Sequence, residues 1–188
     1  TYLDALISEH DMIIISDYGH GFLSKEMAKY ISKQSLFTSL NAQINAANIG
    51  YHTMNNYQDI NCAIINETEL RHELRDRENN VEKLMKDLAV ELQTKNLVVT
   101  QGDDGAILFD SEKNKFHRCP AFATKVVDKI GAGDAMLAIL SCFIKCGFDS
   151  DLSLFMGSLA AAQSVETIGN STPVSKVQLL KTFSHMIK

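Results

Sequence analysis

Short apolar runs that end in a polar residue recur along this chain and alternate with stretches of helical periodicity. Apolar runs of this length, too short for a buried helix, are typical of strands covered on both faces. Strands that alternate with helices build a mainly parallel sheet with helices packed against it. The pattern therefore predicts a doubly wound α/β sheet with flanking helices, and with strands at residues 12–16, 36–40, 62–65 and 97–100.

Helix and hairpin signals fill the segments between and after these strands. Ser24 is placed as the N-cap of a first helix. Residues 67–92 are helical in pattern, with a charged interruption near 75–80, and their leucines mark one face: Leu84, Leu88 and Leu92. Beyond a hairpin of two short strands, three more helices are predicted, the first ending near residue 145, the others at 152–167 and 175–187. The 188 residues suit one domain, 1–188.

Composition and charge argue against several classes of partner. The net charge is −5, and no basic cluster follows the pattern of a protein that binds a phosphate backbone. No apolar run reaches the roughly 18 residues that span a bilayer, and no signal peptide is visible. We therefore expect neither nucleic acid nor membrane as a partner, and a cytoplasmic location. Because the chain begins at Thr1, without methionine, we expect a fragment or a processed product.

Cysteines and histidines show no metal-binding pattern. Cys142 and Cys146 are four residues apart on one helix face, but a metal pair would need two further ligands. We expect all four cysteines to be buried, reduced thiols: Cys62, Cys119, Cys142 and Cys146. The scattered histidines are expected on the surface or in loops: His10, His20, His52, His72, His117 and His185.

A glycine-rich turn, Gly131-Ala132-Gly133-Asp134, opens the most apolar helix. Glycines let the backbone turn tightly, and the first amides of a helix attract anions. A carboxylate at this point can accept a proton from an alcohol that attacks a phosphate. The alternative is an Asp that caps the helix, with glycines required only for packing.

Four ordered segments resemble the ribokinase (PfkB) family of sugar kinases. Residues 128–135 (DKIGAGDA) are similar to its D-T-x-G-A-G-D signature, and 66–69 (NETE) to its N-x-x-E motif. Residues 100–106 (TQGDDGA) are similar to its T-x-G-x-x-G-A nucleotide loop, and 160–165 (AAAQSV) to its alanine-rich helix. Residues 16–21 (SDYGHG) resemble the S-D-Y-x-x-G segment of the branch that phosphorylates heptose phosphates.

This resemblance implies an ATP-dependent phosphotransferase that acts on a sugar or sugar-phosphate hydroxyl. Asp134 would be the general base, and the amides of Gly131, Ala132 and Gly133 would form the anion hole. A heptose phosphate is the preferred substrate, and a ribokinase- or fructokinase-like sugar is the alternative. A nucleotide-binding regulatory module without catalysis is a further alternative, which the retained Asp134 disfavours.

The resemblance also assigns the cofactors. Asn66 and Glu69 would position Mg²⁺ through water, while Thr100, Gly102 and Gly105 would bind the nucleotide. The alternative for Asn66 and Glu69 is a capping-box pair at a helix N-terminus. The alternative for Gly102 and Gly105 is that they are simple turn glycines.

Three further assignments are open. Asp128 would support the anion loop or a monovalent cation such as K⁺, and Asp17 would bind substrate or cap the next helix. Lys129 and Ile130 depart from the family pattern, which puts the cation site in doubt. Lys129 adds charge near the phosphates or faces solvent.

Relative to the family, the N-terminal half and the lid over the sugar are absent. We therefore expect weak nucleotide binding and little turnover from this chain alone, and a homodimer is the candidate assembly. The dehydrogenase G-x-G-x-x-G and the P-loop motif are both missing, which disfavours those two classes.

Overall fold

The computed structural model describes residues 2–34, 36–43, 53–123 and 125–186. Within them the strands are β1 Met12–Asp17, β2 Phe37–Ala42, β3 Cys62–Asn66, β4 Asn96–Thr100, β5 Ala106–Asp110 and β6 Lys115–Cys119. The helices are α1 Tyr2–Ser8, α2 Lys25–Ser32, α3 Glu67–Glu73, α4 Val81–Leu92, α5 Ala132–Lys145, α6 Ser150–Ser164 and α7 Lys176–Met186. Short 3₁₀ turns lie at Met54–Asn56, Gly102–Asp104 and Ile168–Asn170.

The strands form one six-stranded sheet in the order β1-β2-β3-β4-β5-β6. β1 pairs with β2, and β2 with β3, in parallel. Short connections, 101–105 and 111–114, join the last three strands, and neighbouring strands joined so briefly run antiparallel. The predicted α/β class is confirmed as a mixed sheet flanked by helices.

Backbone contacts divide the chain into two compact units. The first unit is residues 1–99 and 109–115, and the second is residues 100–108 and 116–188. In the first unit, the buried leucines of α4 are those that the sequence predicted: Leu84, Leu88 and Leu92. In the second unit, a cluster of Met156, Leu159, Ala160 and Leu179 joins α6 to α7. Gly157 lets α6 approach α5, because a Cβ there would lie 3.0 Å from the Leu140 Cβ.

Most predicted elements are confirmed, including the Ser24 cap, whose side chain accepts a hydrogen bond from the Met27 N–H. The prediction missed α1. The described part of the chain contains no helix that is long and apolar enough to cross a membrane.

Two expectations about burial are wrong. Cys142 and Cys146 are exposed, because α5 buries a different face, formed by Met136, Leu137, Leu140 and Ser141. His117 is buried with 7% of its surface exposed, because strand alternation on β6 turns His117 and Cys119 inward together. Cys62 and Cys119 are buried as predicted, and His52 lies outside the described residues.

Candidate functional site

The first turn of α5 joins a left-handed glycine to a carboxylate. Gly131 is the N-cap, with φ 82° and ψ −3°, and no side chain caps the helix. This φ favours glycine, because a Cβ makes the left-handed region costly. Asp134 follows in the first turn and is half-buried, like Ala132 and Gly133. First-turn amides have no partner within the helix and lie at the positive end of its dipole, so this turn is suited to an anion.

Asp128 holds the loop that leads into this turn. Its Oδ1 accepts a hydrogen bond from the Ile130 N–H at 3.0 Å, and its Oδ2 accepts one from the Gly169 N–H at 2.9 Å. These bonds lower the pKa of Asp128, because they favour the charged carboxylate. The N–H groups of Val127 and Asp128 also donate to the Val165 carbonyl at 2.8 and 3.2 Å. The loop is therefore fixed to the end of α6 and the turn that follows it.

The connection after β4 is a tight turn shaped by two glycines. Thr100 ends the strand, and the Gln101 N–H donates to the Gly105 carbonyl at 2.8 Å. Gly102 and Gly105 have φ values of 60° and 91°. A Cβ at Gly105 would lie 2.1 Å from the Cys119 carbonyl oxygen, whereas one at Gly102 would meet nothing within 4 Å. Gly105 is therefore required by packing, while the space beside Gly102 is open to a ligand.

A long ion pair places this connection beside the glycine turn. The Lys129 Nζ lies 3.8 Å from the Asp103 Oδ1. Both side chains are largely exposed, 70% and 90%, so the pair contributes little to stability. It shows, however, that the two glycine loops predicted to bind nucleotide are neighbours in the second unit. Lys129 extends from one toward the other.

The N-x-x-E segment forms a capping box at the start of α3, in the first unit. The Glu69 N–H donates to the Asn66 Oδ1 at 2.8 Å, and the Asn66 N–H donates to the Glu69 Oε2 at 3.1 Å. The capping-box pair expected as the alternative for these residues is therefore present. A carboxylate and an amide oxygen each accept more than one hydrogen bond, so the box leaves capacity for water ligands of a cation.

The oxygen ligands of this segment suit a hard cation such as Mg²⁺, which keeps several waters. Within the described ranges, no three His, Cys, Asp or Glu side chains form a cluster that could hold a metal ion.

Asp17 is buried at the end of β1 and accepts hydrogen bonds from within the chain. Its Oδ1 accepts a hydrogen bond from the Gly19 N–H at 2.9 Å, and its Oδ2 accepts one from the Tyr57 hydroxyl at 2.6 Å. Burial, and then the Asp17 carboxylate, raise the pKa of Tyr57 far above its usual value, so the phenol stays a donor. Asp17 therefore fixes the loop after β1, whose side chains Tyr18, His20 and Phe22 are exposed.

Sequence reasoning missed Tyr57, which lies 40 positions from its partner and carries no motif. It also missed the contact of the His117 Nδ1 with the Asp151 Oδ1 at 2.7 Å. The inward alternation of His117 with Cys119 is the signal that could have shown this burial.

The predicted site residues are divided between the two units. The second unit holds Thr100, Gly102, Gly105, Asp128 and 131–134, whereas Asp17, Asn66 and Glu69 belong to the first. Asp17 and Asn66 end the parallel strands β1 and β3, so within their unit they lie at the same edge of the sheet.

The family model described as "pfkB family carbohydrate kinase" matches residues 6–177, and the chain belongs to this family. A curated relative, the bifunctional protein HldE of Campylobacter concisus, is 29% identical over 164 residues, covering 85% of this chain.

Two solved structures share the fold. Phosphofructokinase-2 of Escherichia coli, in complex with substrates and products, matches with a TM-score of 0.78 at 17% identity, covering 100% of this chain and 62% of that one. Ribokinase of Arabidopsis thaliana, complexed with ribose and ATP, matches with a TM-score of 0.71 at 20% identity, covering 94% and 57%. The chain spans only 33% of the length of the Campylobacter relative.

Proposed function

We propose that this chain carries the nucleotide-binding and phosphoryl-transfer part of an ATP-dependent kinase that acts on a sugar or sugar phosphate. The observation that supports this most is the first turn of α5. Gly131 caps the helix without a side chain, and Asp134 lies in the same turn. An anion site with an adjoining carboxylate is what phosphoryl transfer to a hydroxyl requires.

In this mechanism Asp134 accepts the proton of the acceptor hydroxyl. The hydroxyl oxygen forms a bond to the terminal phosphorus of ATP, while the bond from that phosphorus to the ADP oxygen breaks. The N–H groups of Gly131, Ala132 and Gly133 donate to the oxygens of the transferred group, whose charge they stabilise. Asp128 acts through the backbone, because its two hydrogen bonds hold the loop that presents these amides.

Nucleotide phosphates would lie against the connection after β4. The open space at Gly102 permits close approach of a ligand to the backbone, and Lys129 supplies positive charge beside it. Asn66 and Glu69 are the residues proposed for Mg²⁺, which they would hold through its water ligands. The alternative to the loop-holding role of Asp128 is that it binds a monovalent cation such as K⁺.

For the acceptor we propose a heptose phosphate, on the basis of the SDYGHG segment. Because both Asp17 oxygens accept hydrogen bonds from the protein, we expect Asp17 to position the loop after β1. The exposed Tyr18 and His20 rings, 6.4 Å apart, are then the groups that contact the sugar phosphate. Ribose- or fructose-type sugars are the alternative acceptors.

The test is a coupled ADP-release assay of the full-length protein with a heptose phosphate, fructose 6-phosphate and ribose. Asp134→Asn should lower kcat by about 10²–10⁴-fold, the usual contribution of a general base, and leave nucleotide affinity unchanged. Asp87→Asn, an exposed position on α4, is the matched control and should match the unmodified protein. Equal turnover by Asp134→Asn would refute the base assignment, and nucleotide binding without turnover on any sugar would favour a regulatory module.

A further inference from the structure

A cavity of about 640 Å³ lies between the end of α3 and the start of α4, within the first unit. Residues 71, 72 and 75–79 line it, and they include Arg71, Arg75 and Arg77. The sequence has one other arginine, Arg118, and otherwise uses lysine as its cation. Cavities of this size typically hold small molecules. Three of the four arginines of the chain therefore line a single cavity.

Arg71 is fixed as part of the cavity wall. Its Nε and Nη2 donate to the Glu67 Oε1 at 3.0 and 2.8 Å, and its Nη1 donates to the Asn79 carbonyl at 3.0 Å. The guanidinium group therefore joins α3 to the loop that leads into α4. Because Glu67 already neutralises its charge, Arg71 shapes the cavity more than it attracts a ligand.

Asp76 holds the loop from within. Its Oδ1 accepts hydrogen bonds from the Glu78 and Asn79 N–H groups at 2.9 and 3.0 Å, and its Oδ2 accepts one from the Asn79 Nδ2 at 2.5 Å. The bonds from Asn79, and then the one from Glu78, lower the pKa of Asp76 to about 2, because they favour the charged carboxylate. Both oxygens of Asp76 are thus used to fix the loop.

Arg75 and Arg77 are the two remaining arginines of the lining. Both are exposed, and within the described part of the chain neither forms an ion pair or a side-chain hydrogen bond. Arg75 has φ 52°, in the left-handed region that favours glycine at the end of a helix. The Arg75 N–H donates to the His72 carbonyl at 3.3 Å, and the Asp76 N–H donates to the Arg71 carbonyl at 3.1 Å. Arg75 is therefore held beside the cavity in a costly backbone conformation.

The two available guanidinium groups favour a phosphate. A planar guanidinium donates two parallel hydrogen bonds to an oxyanion, whereas a lysine ammonium acts as a point charge. Of the two acids in the lining, Asp76 accepts its hydrogen bonds from the loop, and Glu78 is exposed to solvent. They therefore compete little for the arginines. A phosphate dianion offers enough charge and acceptor oxygens for both guanidinium groups, which a single carboxylate does not.

We propose that the cavity between α3 and α4 binds a phosphate group through Arg75 and Arg77, either as inorganic phosphate or as the ester of a small metabolite. The site is separate from the proposed phosphoryl-transfer site, because none of its lining residues belongs to segments 66–69, 100–106 or 128–135. Binding at this cavity therefore does not depend on the proposed kinase function.

The residue-resolved test is modification of arginine by phenylglyoxal, mapped by mass spectrometry. Inorganic phosphate and glycerol 3-phosphate are the probes, and chloride at the same ionic strength is the reference. Arg118, exposed on β6, is the internal control. Each probe should slow the modification of Arg75 and Arg77 several-fold and leave that of Arg118 unchanged. Equal protection of Arg118, or no protection of Arg75 and Arg77, would overturn the proposal.

Calorimetric titration of the folded chain measures the affinity for the same probes. Arg75→Gln/Arg77→Gln should weaken phosphate binding at least about 10-fold, as expected for lost hydrogen bonds between charged groups. The matched control is Lys25→Gln/Lys29→Gln, which removes two exposed cations of α2 in the same unit and should leave the affinity unchanged. Equal weakening in the control would reduce the effect to net charge and overturn the proposal.

The variant Gly131→Asp distinguishes this cavity from the first turn of α5. It should retain the phosphate binding that the double arginine variant loses. If Gly131→Asp abolishes that binding while Arg75→Gln/Arg77→Gln retains it, the phosphate occupies α5 and the proposal fails. Tighter binding of glycerol 3-phosphate than of inorganic phosphate would identify an ester as the ligand, and the reverse order would identify the free ion.

Discussion

The helices α3 and α5 both begin at predicted site residues, and both carry a carboxylate three positions after the N-cap, yet their first turns differ. In α3 the Asn66 side chain and Glu69 cap the helix reciprocally. In α5 the cap is Gly131, in a left-handed conformation, and no side chain caps the turn. The first arrangement satisfies the helix end with side chains of the chain itself, whereas no side chain caps the second.

This difference extends to the other site residues of the two units. In the first unit, Asp17 and Asn66 act through side-chain hydrogen bonds that stabilise the folded structure. In the second unit, Gly102, Gly105 and Gly131 act through the backbone conformation, each with positive φ. A residue type alone therefore does not separate a structural role from a ligand role. The hydrogen bonds that a residue already makes within the protein separate these two roles.

The sharpest test of the backbone role is at the two glycines after β4. Gly105→Ala should cost at least about 3 kcal/mol of unfolding free energy, because its Cβ would meet the Cys119 carbonyl oxygen at 2.1 Å. Gly102→Ala should cost only about 1–2 kcal/mol, the penalty of the left-handed conformation. Chemical denaturation measures both, and equal costs would contradict the packing argument for Gly105.

The side-chain role in the first unit is tested most strongly at Tyr57. Tyr57→Phe removes the hydroxyl that donates to the buried Asp17, and should cost about 2 kcal/mol, as expected for a bond to a charged group. Tyr30→Phe, at a partly exposed position on α2, is the control and should be close to neutral. A neutral Tyr57→Phe would show that Asp17 does not depend on this bond.

Loss of the capping box at the start of α3 should have a smaller effect on stability. Asn66→Ala should lower the unfolding free energy by about 1 kcal/mol, through loss of the cap of α3. Thr68→Ala, an exposed position in the same turn, provides the comparison. If Asn66 also holds cation waters, the variant should weaken Mg²⁺-dependent nucleotide binding, which calorimetry with and without Mg²⁺ would detect.

Asp128 differs from the other site residues of the second unit, because it acts through its side chain, which holds a loop. Its substitution should have the smallest effect on stability. Its folded pKa lies below the unfolded value of about 4, so its stabilisation is complete above that pH and is lost as the pH falls through the folded pKa. Asp128→Asn should remove this acid-dependent part. Melting temperatures from pH 6 to pH 3 measure it, and identical slopes for the two proteins would contradict it.

The sequence predicted most of the fold because apolar periodicity and caps are local signals. The four early strands are short apolar runs, and Ser24 caps the helix that it was expected to cap. The missed helix α1 carries a weak signal, with Leu3, Leu6 and Ile7 at helical spacing over only seven residues. A helix this short depends on its contacts more than on its own propensity.

The candidate site was predictable only where its motifs are contiguous. The glycine turn and the N-x-x-E capping pair can be recognised in the sequence, because each is a contiguous motif. The hydrogen bond from Tyr57 to Asp17 joins distant positions and leaves no such motif. The exposure of Cys142 and Cys146 was also hidden, because α5 is apolar on several faces and its sequence does not show which one is buried. Long-range pairing and helix rotation are set by tertiary packing, which a local pattern does not contain.

We propose above all that the uncapped first turn of α5 binds the phosphates of a nucleotide. The measurement that tests it most directly is calorimetric titration of the folded chain with ADP and Mg²⁺, using Gly131→Asp and Asp134→Ala alongside. We predict that Gly131→Asp abolishes binding, since it adds a negative charge at the anion site, and that Asp134→Ala preserves it. Binding by a folded Gly131→Asp variant with unchanged affinity would contradict the claim.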